Sequence, residues 1–250
     1  MSTAVGIVVF ACLAGGMLLG MHLRRFIPKH HLNDESADVI KLATGIIGTM
    51  AALLLSLQLG TAWSSFETRK TEVTDISAKI LLLDRTLASC GSEAQPVRDL
   101  LRSEMTRVVG ALWSDEPKPS SQPVAFSSAG QLFYDRLVNL SPSTEAQRSA
   151  KSHALDLAFA LGQTRWLIVA QESSYASRPV LGVLLAWLAV IFICFGLLSP
   201  RNATVMCALM ICAATMAGAF FLILELYSPF TGLIRVSSEP LRAAIVLLGH

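Results

Sequence analysis

Charged side chains are unevenly placed along this sequence and leave four long gaps. Residues 1–21, 42–65, 180–200 and 202–224 contain no Asp, Glu, His, Lys or Arg. Each gap approaches or exceeds the roughly 20 apolar residues that cross a hydrocarbon core as a helix. The pattern predicts four transmembrane helices. Four buried helices of a water-soluble fold are the alternative, but a chain of 250 residues leaves too little material to cover them. Ser2 and Thr3 precede the first apolar run and Arg24 and Arg25 follow it. That order reverses the charge order of a secretory signal, so the segment is expected to stay as an anchor.

Between the second and third gaps the pattern takes a helical period. Val73, Ile76, Ile80, Leu83 and Leu87 recur at three and four, the spacing of one helix face, and Gly91 is a natural stop. Ser92 with Gln95 reads as a capping box that opens a second helix carrying Val97, Leu100, Leu101, Val108 and Leu112, which makes an antiparallel pair. Pro117, Pro119 and Pro123 break regular structure between Ser114 and Pro123. A short helix is predicted around Gln131 to Leu140. Ser141-Pro142 is then expected to start a long one, since Pro is tolerated in a first helical turn. Leu155, Leu157, Ala158, Leu161, Trp166 and Leu167 give that helix a broad apolar surface, while Asp156 and Arg165 argue against a membrane span. Pro179 marks the entry to the third membrane helix.

Neither a strand-type alternation nor an internal repeat occurs, so the predicted class is all-α: a multi-pass membrane protein with four transmembrane helices and a helical extramembrane insert. The expected division is a first helix pair with its connecting loop (1–63), a helical extramembrane domain (64–179), a second helix pair (180–226) and a C-terminal tail with a short helix (227–250).

Composition narrows the function. Hydrophobic residues make up 53% of the chain and charged residues 15%, against roughly 25% charged in an average soluble domain, which argues against a soluble enzyme. Lys and Arg total 20 against 18 Asp and Glu, a net charge of +2, and this is no footprint for nucleic acid. Cys12, Cys194, Cys207 and Cys212 fall inside predicted membrane helices and Cys90 stands alone in the insert, so no disulfide framework or CxxC site is legible.

Catalysis is not supported either. The apolar segments lack acids and bases, and neither HExxH nor GxSxG is present, so no enzyme and no cofactor are expected. His30 and His31, with Asp34, Glu35 and Asp38 nearby, could in principle ligate a metal. The simpler reading is a helix start, with Asn33 as cap and the acids in the first turns, where the helix dipole favours negative charge. No metal site is assigned.

The second membrane helix carries the most informative pattern. Thr44, Gly48, Ala52, Ser56, Gly60 and Ser64 recur every four residues along a slowly rotating stripe without a bulky side chain. Small residues permit either close helix packing or a water-accessible lining, and these six are the pore-lining candidates. Gln58, in the same segment, needs a polar partner or water. Ala203 with Cys207, Ala213 with Ala217 and Ala214 with Gly218 suggest tight packing of the last two helices, joined by the short turn Pro200-Arg-Asn. Trp63, Phe66, Tyr175, Tyr227 and Phe230 suit interfacial belts at helix ends. Glu225 closes the fourth helix, and Pro229 with Gly232 then turns the chain back. An acid at a helix C-terminus opposes the dipole, so Glu225 is expected to form a structural ion pair with Arg235 or with a base of the insert.

Several segments together carry a family resemblance: Pro28-Lys-His-His-Leu32, Asp38-Val-Ile-Lys-Leu-Ala-Thr-Gly45, Ser64-Ser-Phe-Glu-Thr68, Leu82-Leu-Asp-Arg-Thr86, Gly162-Gln-Thr-Arg-Trp166, Ser199-Pro-Arg-Asn-Ala-Thr-Val205 and Leu224-Glu-Leu-Tyr-Ser-Pro-Phe-Thr-Gly-Leu-Ile-Arg-Val236. The chain resembles the bestrophin-like family of bacterial membrane proteins along nearly its whole length, with the loop from Ser114 to Ser128 as the weakest part. Where that family usually has Leu-Asp-Arg-Pro-Phe near the end, this chain has Leu-Tyr-Ser-Pro-Phe, so no role for that acid and base carries over. The likeness to bestrophins proper lies in layout, with a second helix that runs through Trp63 to Phe66 into the insert. Bestrophins are pentameric anion channels whose pore that helix lines. The resemblance therefore implies a homo-oligomer, a pentamer by analogy, embedded in a lipid bilayer and passing chloride or another anion. The acidic calcium clasp and the aromatic pore neck of the animal members have no counterpart.

The rival reading is a non-conducting membrane scaffold or stress-response partner that binds another protein through its helical insert. The chain is expected in the inner cell membrane. Arg24, Arg25, Lys29, Lys41 and Arg201 on one side face Arg69, Lys70, Lys79, Arg165, Arg178, Arg235 and Arg242 on the other, so charge does not orient the helices. The bestrophin layout favours a cytoplasmic insert.

Overall fold

The structure, a computed structural model, describes residues 2–27, 34–113, 128–172, 178–200, 202–230 and 232–248. All regular elements among them are helical: α1 (Ser2–Leu23), α2 (Asp34–Ala88), a 3₁₀ turn (Ser92–Ala94), α3 (Gln95–Leu112), α4 (Ser128–Val138), α5 (Glu145–Glu172), α6 (Arg178–Leu198), α7 (Ala203–Leu226) and α8 (Glu239–Leu247). Residues 28–33, with His30, His31 and Asn33, the Ser114–Pro123 stretch and Tyr175 lie outside the described residues. The chain forms two compact units, residues 1–65 with 176–228 and residues 66–175 with 229–250. Helix α2 contributes residues to both.

Among the described residues four helices are long and apolar enough to cross a membrane, α1, α2, α6 and α7; the first unit holds α1, α6, α7 and the first part of α2. Its centre is α1, which packs on both α6 and α7. Val9, Leu13, Met17 and Met21, each four residues from the next, form one row of α1. They are buried with Leu184, Leu188, Ile191 and Phe192 of α6 and with Ala213, Ala217 and Phe220 of α7. Glycines permit this approach. A Cβ on Gly20 would collide with the carbonyl oxygen of Ile193 and meet the Leu197 nitrogen at 2.9 Å, and a Cβ on Gly196 would collide with the Met17 carbonyl oxygen. Gly16 sits one turn earlier, where a Cβ would come within 3.3 Å of the Ala189 oxygen. The spacing Gly16-xxx-Gly20 is thus a small-residue contact that brings two backbones together. Small residues of α7 were expected to grip α6. Instead Ala217 and Phe221 of α7 meet Gly6 of α1, because α1 offers the glycines that let a backbone come close. Arg24, just past α1, donates to the Ser199 carbonyl at the end of α6. Asn202 caps α7 by accepting from the Thr204 amide at 3.1 Å.

The second unit buries Ile80, Leu83 and Leu87 of α2 with Val97, Leu101 and Val109 of α3, Leu137 of α4, Ala154 of α5, and Leu241 and Leu248 at α8. Gly91 takes φ 99° where the chain reverses, the left-handed region that glycine enters without strain. The pair so formed is pinned by Arg98, whose Nε and Nη2 donate to the two oxygens of Asp84 at 2.8 and 2.9 Å. Asp84 is completely buried.

Two cap assignments change. Ser92 opens a 3₁₀ turn, and α3 begins without a side-chain cap, with Pro in its first turn. The Gln95 side chain instead meets Arg98 and Asp99. The capping box occurs at α5, where the Gln147 amide donates to Thr144 Oγ1 at 3.2 Å while Gln147 Oε1 accepts from the amides of Ser143 and Thr144. Accordingly α5 starts at Glu145 and Ser141-Pro142 remain in the connection. The end of the chain folds onto α3: Trp113 Nε1 donates to the Val236 carbonyl at 2.8 Å, and the Trp113 and Phe230 rings meet edge to face at 5.3 Å.

Candidate functional site: the exposed face of the second helix

Helix α2 runs unbroken for 55 residues, roughly 80 Å at the rise of an α-helix. No proline interrupts it, and Asp34 and Glu35 occupy its first turn, where the dipole favours them. Its buried side is a row of Thr44, Ala51 and Gln58, each seven residues from the next, with Ile47, Leu54 and Leu55 packed beside Ala51. A step of seven nearly completes two turns, so this row stays on one side of the helix.

The four-residue stripe behaves differently, since each step of four overshoots a turn by about 40° and five steps carry it roughly 200° around the helix. Thr44 therefore lies on the buried side, 5% exposed, with its hydroxyl donating to the Ile40 carbonyl at 2.7 Å. Gly48 is half-buried, and Ala52, Ser56, Gly60 and Ser64 are exposed. A Cβ added at Gly48 or Gly60 would touch nothing within 4 Å, so neither glycine serves helix packing within this chain.

The exposed part of the stripe forms an open groove lined by Leu53, Ser56, Leu57, Gly60, Thr61, Ser64 and Ser65. Four of these carry hydroxyls. Thr61 donates to the Leu57 carbonyl at 2.8 Å, whereas the Ser56 hydroxyl has no hydrogen bond within the described residues. No carboxylate falls between Leu42 and Ser65, so the groove offers donors and no repelling acid. On the buried side, Gln58 keeps its Nε2 without an acceptor among the described residues. An amide left unsatisfied at membrane depth is costly.

Glu225 is buried, 1% exposed, at the end of α7. Arg235 is exposed in the second unit, where its Nε donates to the Gly232 carbonyl at 2.5 Å. Burial pushes the Tyr227 phenol up. Among the described residues no group of three or more His, Cys, Asp or Glu is placed to hold a metal ion.

Sequence reasoning missed the Thr44–Ala51–Gln58 row and the glycines of α1. A count at period seven would have found the first, and Gly16-xxx-Gly20 was itself a visible signal for the second.

An all-α membrane protein, with two helix pairs bracketing a helical extramembrane unit and a second helix that runs on into that unit, is what the fold defines. The chain belongs to the bestrophin-like family: the bestrophin-like domain matches residues 10–241. No curated protein matches the sequence. Among solved structures, a point variant of a bacterial bestrophin homologue from Klebsiella pneumoniae superposes with a TM-score of 0.59 at 13% identity, over 94% of this chain and 95% of that one. Another variant of that homologue gives 0.61 at 12% identity, over 96% and 98%. A structure described as a membrane protein gives 0.62 at 12% identity, over 97% and 96%. At such identities the likeness is one of fold.

Proposed function

We propose that this protein is an oligomeric anion channel of the inner membrane, with chloride as the simplest permeant ion and the exposed face of α2 as the pore wall. The observation that carries this reading is the bare hydroxyl-bearing face of a membrane-spanning helix. Lipid cannot satisfy the hydroxyls of Ser56 and Ser65, so the face belongs against water, and several copies around an axis supply it. Of the six stripe residues, Ala52, Ser56, Gly60 and Ser64 form the wall, while Thr44 and Gly48 lie toward the protein side. The bestrophin-like resemblance supports a ring of five and a cytoplasmic position for residues 64–179.

Purified protein in chloride-loaded liposomes is expected to dissipate a chloride gradient. Gly60→Leu or Ser56→Leu should reduce the flux by tenfold or more without lowering the yield of folded oligomer. Absence of flux from a well-folded oligomer would sink the proposal and favour a scaffold that binds a partner through its insert. Maleimide labelling of a cysteine introduced between residues 114 and 128, in intact cells, tests the orientation, since external reactivity there contradicts a cytoplasmic insert.

A further inference from the structure

The part of α2 in the first unit has a third strip beside the buried row and the pore face. Successive residues of an α-helix turn by about 100°, and on that wheel Val39, Leu42, Ile46, Met50, Leu53 and Leu57 fall within about 80° of one another. They form one strip of large apolar side chains. Each is exposed, between 49% and 72%. From Val39 to Leu57 the strip runs roughly 27 Å at the rise of an α-helix, close to the thickness of the hydrocarbon core.

Its place on the helix decides what can cover it. The buried row of Thr44, Ala51 and Gln58 lies about 140° from the centre of the strip on one side, and Ala52 and Ser56 of the pore face lie about 80–120° away on the other. Leu53 and Leu57 also line the hydroxyl-bearing groove, so strip and groove share an edge. The strip therefore fills one flank of α2, between the water-facing wall and the chain's own core. Lipid on that flank would border the wall directly, with nothing to seal water from hydrocarbon. The opposite flank is narrower and carries Gly48, half-buried, where a Cβ would touch nothing within 4 Å. A closed ring pairs unlike flanks of neighbouring copies, and large side chains against a flank opened by glycine make such a pair.

We infer that a second copy of the chain covers this strip and packs on it beside the pore face. The inference rests on the channel reading and names the partner that closes its wall. The exposed area of these side chains is roughly 700 Å², close to the roughly 800 Å² that each partner contributes to a stable interface. No charged residue lies between Leu42 and Ser65, and at the start of the strip Asp38 and Lys41 already pair with each other at 2.8 Å. The contact thus forms without burying an unpaired ion.

The test reads what surrounds the strip in the full chain, with the five native cysteines replaced by alanine and the protein reconstituted in phosphatidylcholine vesicles. Nitroxides on Ile46→Cys and on Ser56→Cys are compared by their collisions with oxygen, which concentrates in lipid, and with a water-soluble nickel chelate. At Ile46→Cys both rates are expected to be low, with oxygen about fivefold or more below that of a nitroxide lipid at the same depth, because a close-packed contact leaves no room for either probe. Ile46 is 64% exposed within one chain, so shielding requires another. Frequent oxygen collisions would put lipid on the strip, and frequent nickel collisions would put water there; either overturns the inference. Met50→Cys, on the same strip, decides should Ile46→Cys fail to fold. The Ser56→Cys label judges the channel reading by itself. Nickel collisions there support a wet wall, and their absence removes the pore, while a shielded Ile46→Cys still reports contact between copies.

Discussion

Gly20 and Gly60 should respond with opposite sign to the same substitution. Both are interior to membrane helices, and alanine in place of glycine gains about 1 kcal/mol of helix propensity where there is room for the methyl. Room exists at Gly60, where a Cβ meets nothing within 4 Å. At Gly20 the Cβ would overlap the Ile193 carbonyl oxygen and lie 2.9 Å from the Leu197 nitrogen and 3.0 Å from the Ile193 carbonyl carbon. These obstacles are backbone atoms, so no rotamer change relieves them and α1 must move away from α6. That movement opens the contact of Met17 and Met21 with Leu188 and Phe192. Overpacking a core costs roughly 1–3 kcal/mol, and separating two backbones falls at the upper end, which outweighs the propensity gain. Gly20→Ala is therefore expected to destabilise by about 2 kcal/mol. At roughly 2–4 °C per kcal/mol for a chain of this size, its thermal midpoint in detergent drops by several degrees. Gly60→Ala should hold or raise the midpoint. Gly196→Ala, which meets the Met17 carbonyl from the other side, should resemble Gly20→Ala. Equal midpoints for Gly20→Ala and Gly60→Ala would refute the close α1–α6 crossing.

Two further outcomes are expected in the second unit. Arg98→Ala leaves the fully buried Asp84 without its bidentate donor and should cost about 3–5 kcal/mol in chemical denaturation. Arg148→Ala removes one side of a pair with Glu145 that is exposed on both sides, 62% and 88%, and should cost about 1 kcal/mol or less; similar losses for both would show that burial does not set the difference. Burial pushes the Cys90 thiol up, with the charge of Lys151 opposing. A raised thiol pKa in the folded state stabilises at pH below the unfolded value of about 8.5, and that contribution is lost as pH rises through the folded value. With the other four cysteines replaced by alanine, Cys90 should resist maleimide at pH 7, and the stability difference from Cys90→Ala should shrink between pH 8 and 10. Rapid labelling at pH 7 would contradict its burial.

The four membrane helices, the helical insert and the family were readable from the chain alone. Hydrocarbon excludes charge residue by residue, so each gap between charges records its surroundings without reference to any partner. The α2–α3 reversal at Gly91 was legible for a similarly local reason, an apolar row that ends at a residue free to take positive φ. Caps were harder. Ser92-x-x-Gln95 and Thr144-x-x-Gln147 present the same signature, and only the second folds as one, because Pro96 and the Arg98–Asp84 pair set the start of α3 instead.

The stripe on α2 shows where sequence stops. Its spacing was plain, but which of its members face outward depends on the phase of the helix against its neighbours, and a spacing of four drifts across that boundary between Thr44 and Ser64. The choice of α1 as the helix that both α6 and α7 pack on joins residues far apart in the chain. Hydropathy is a property of a segment and can be read in one dimension. Contact between segments depends on which backbones can come close, and only the tertiary structure decides that.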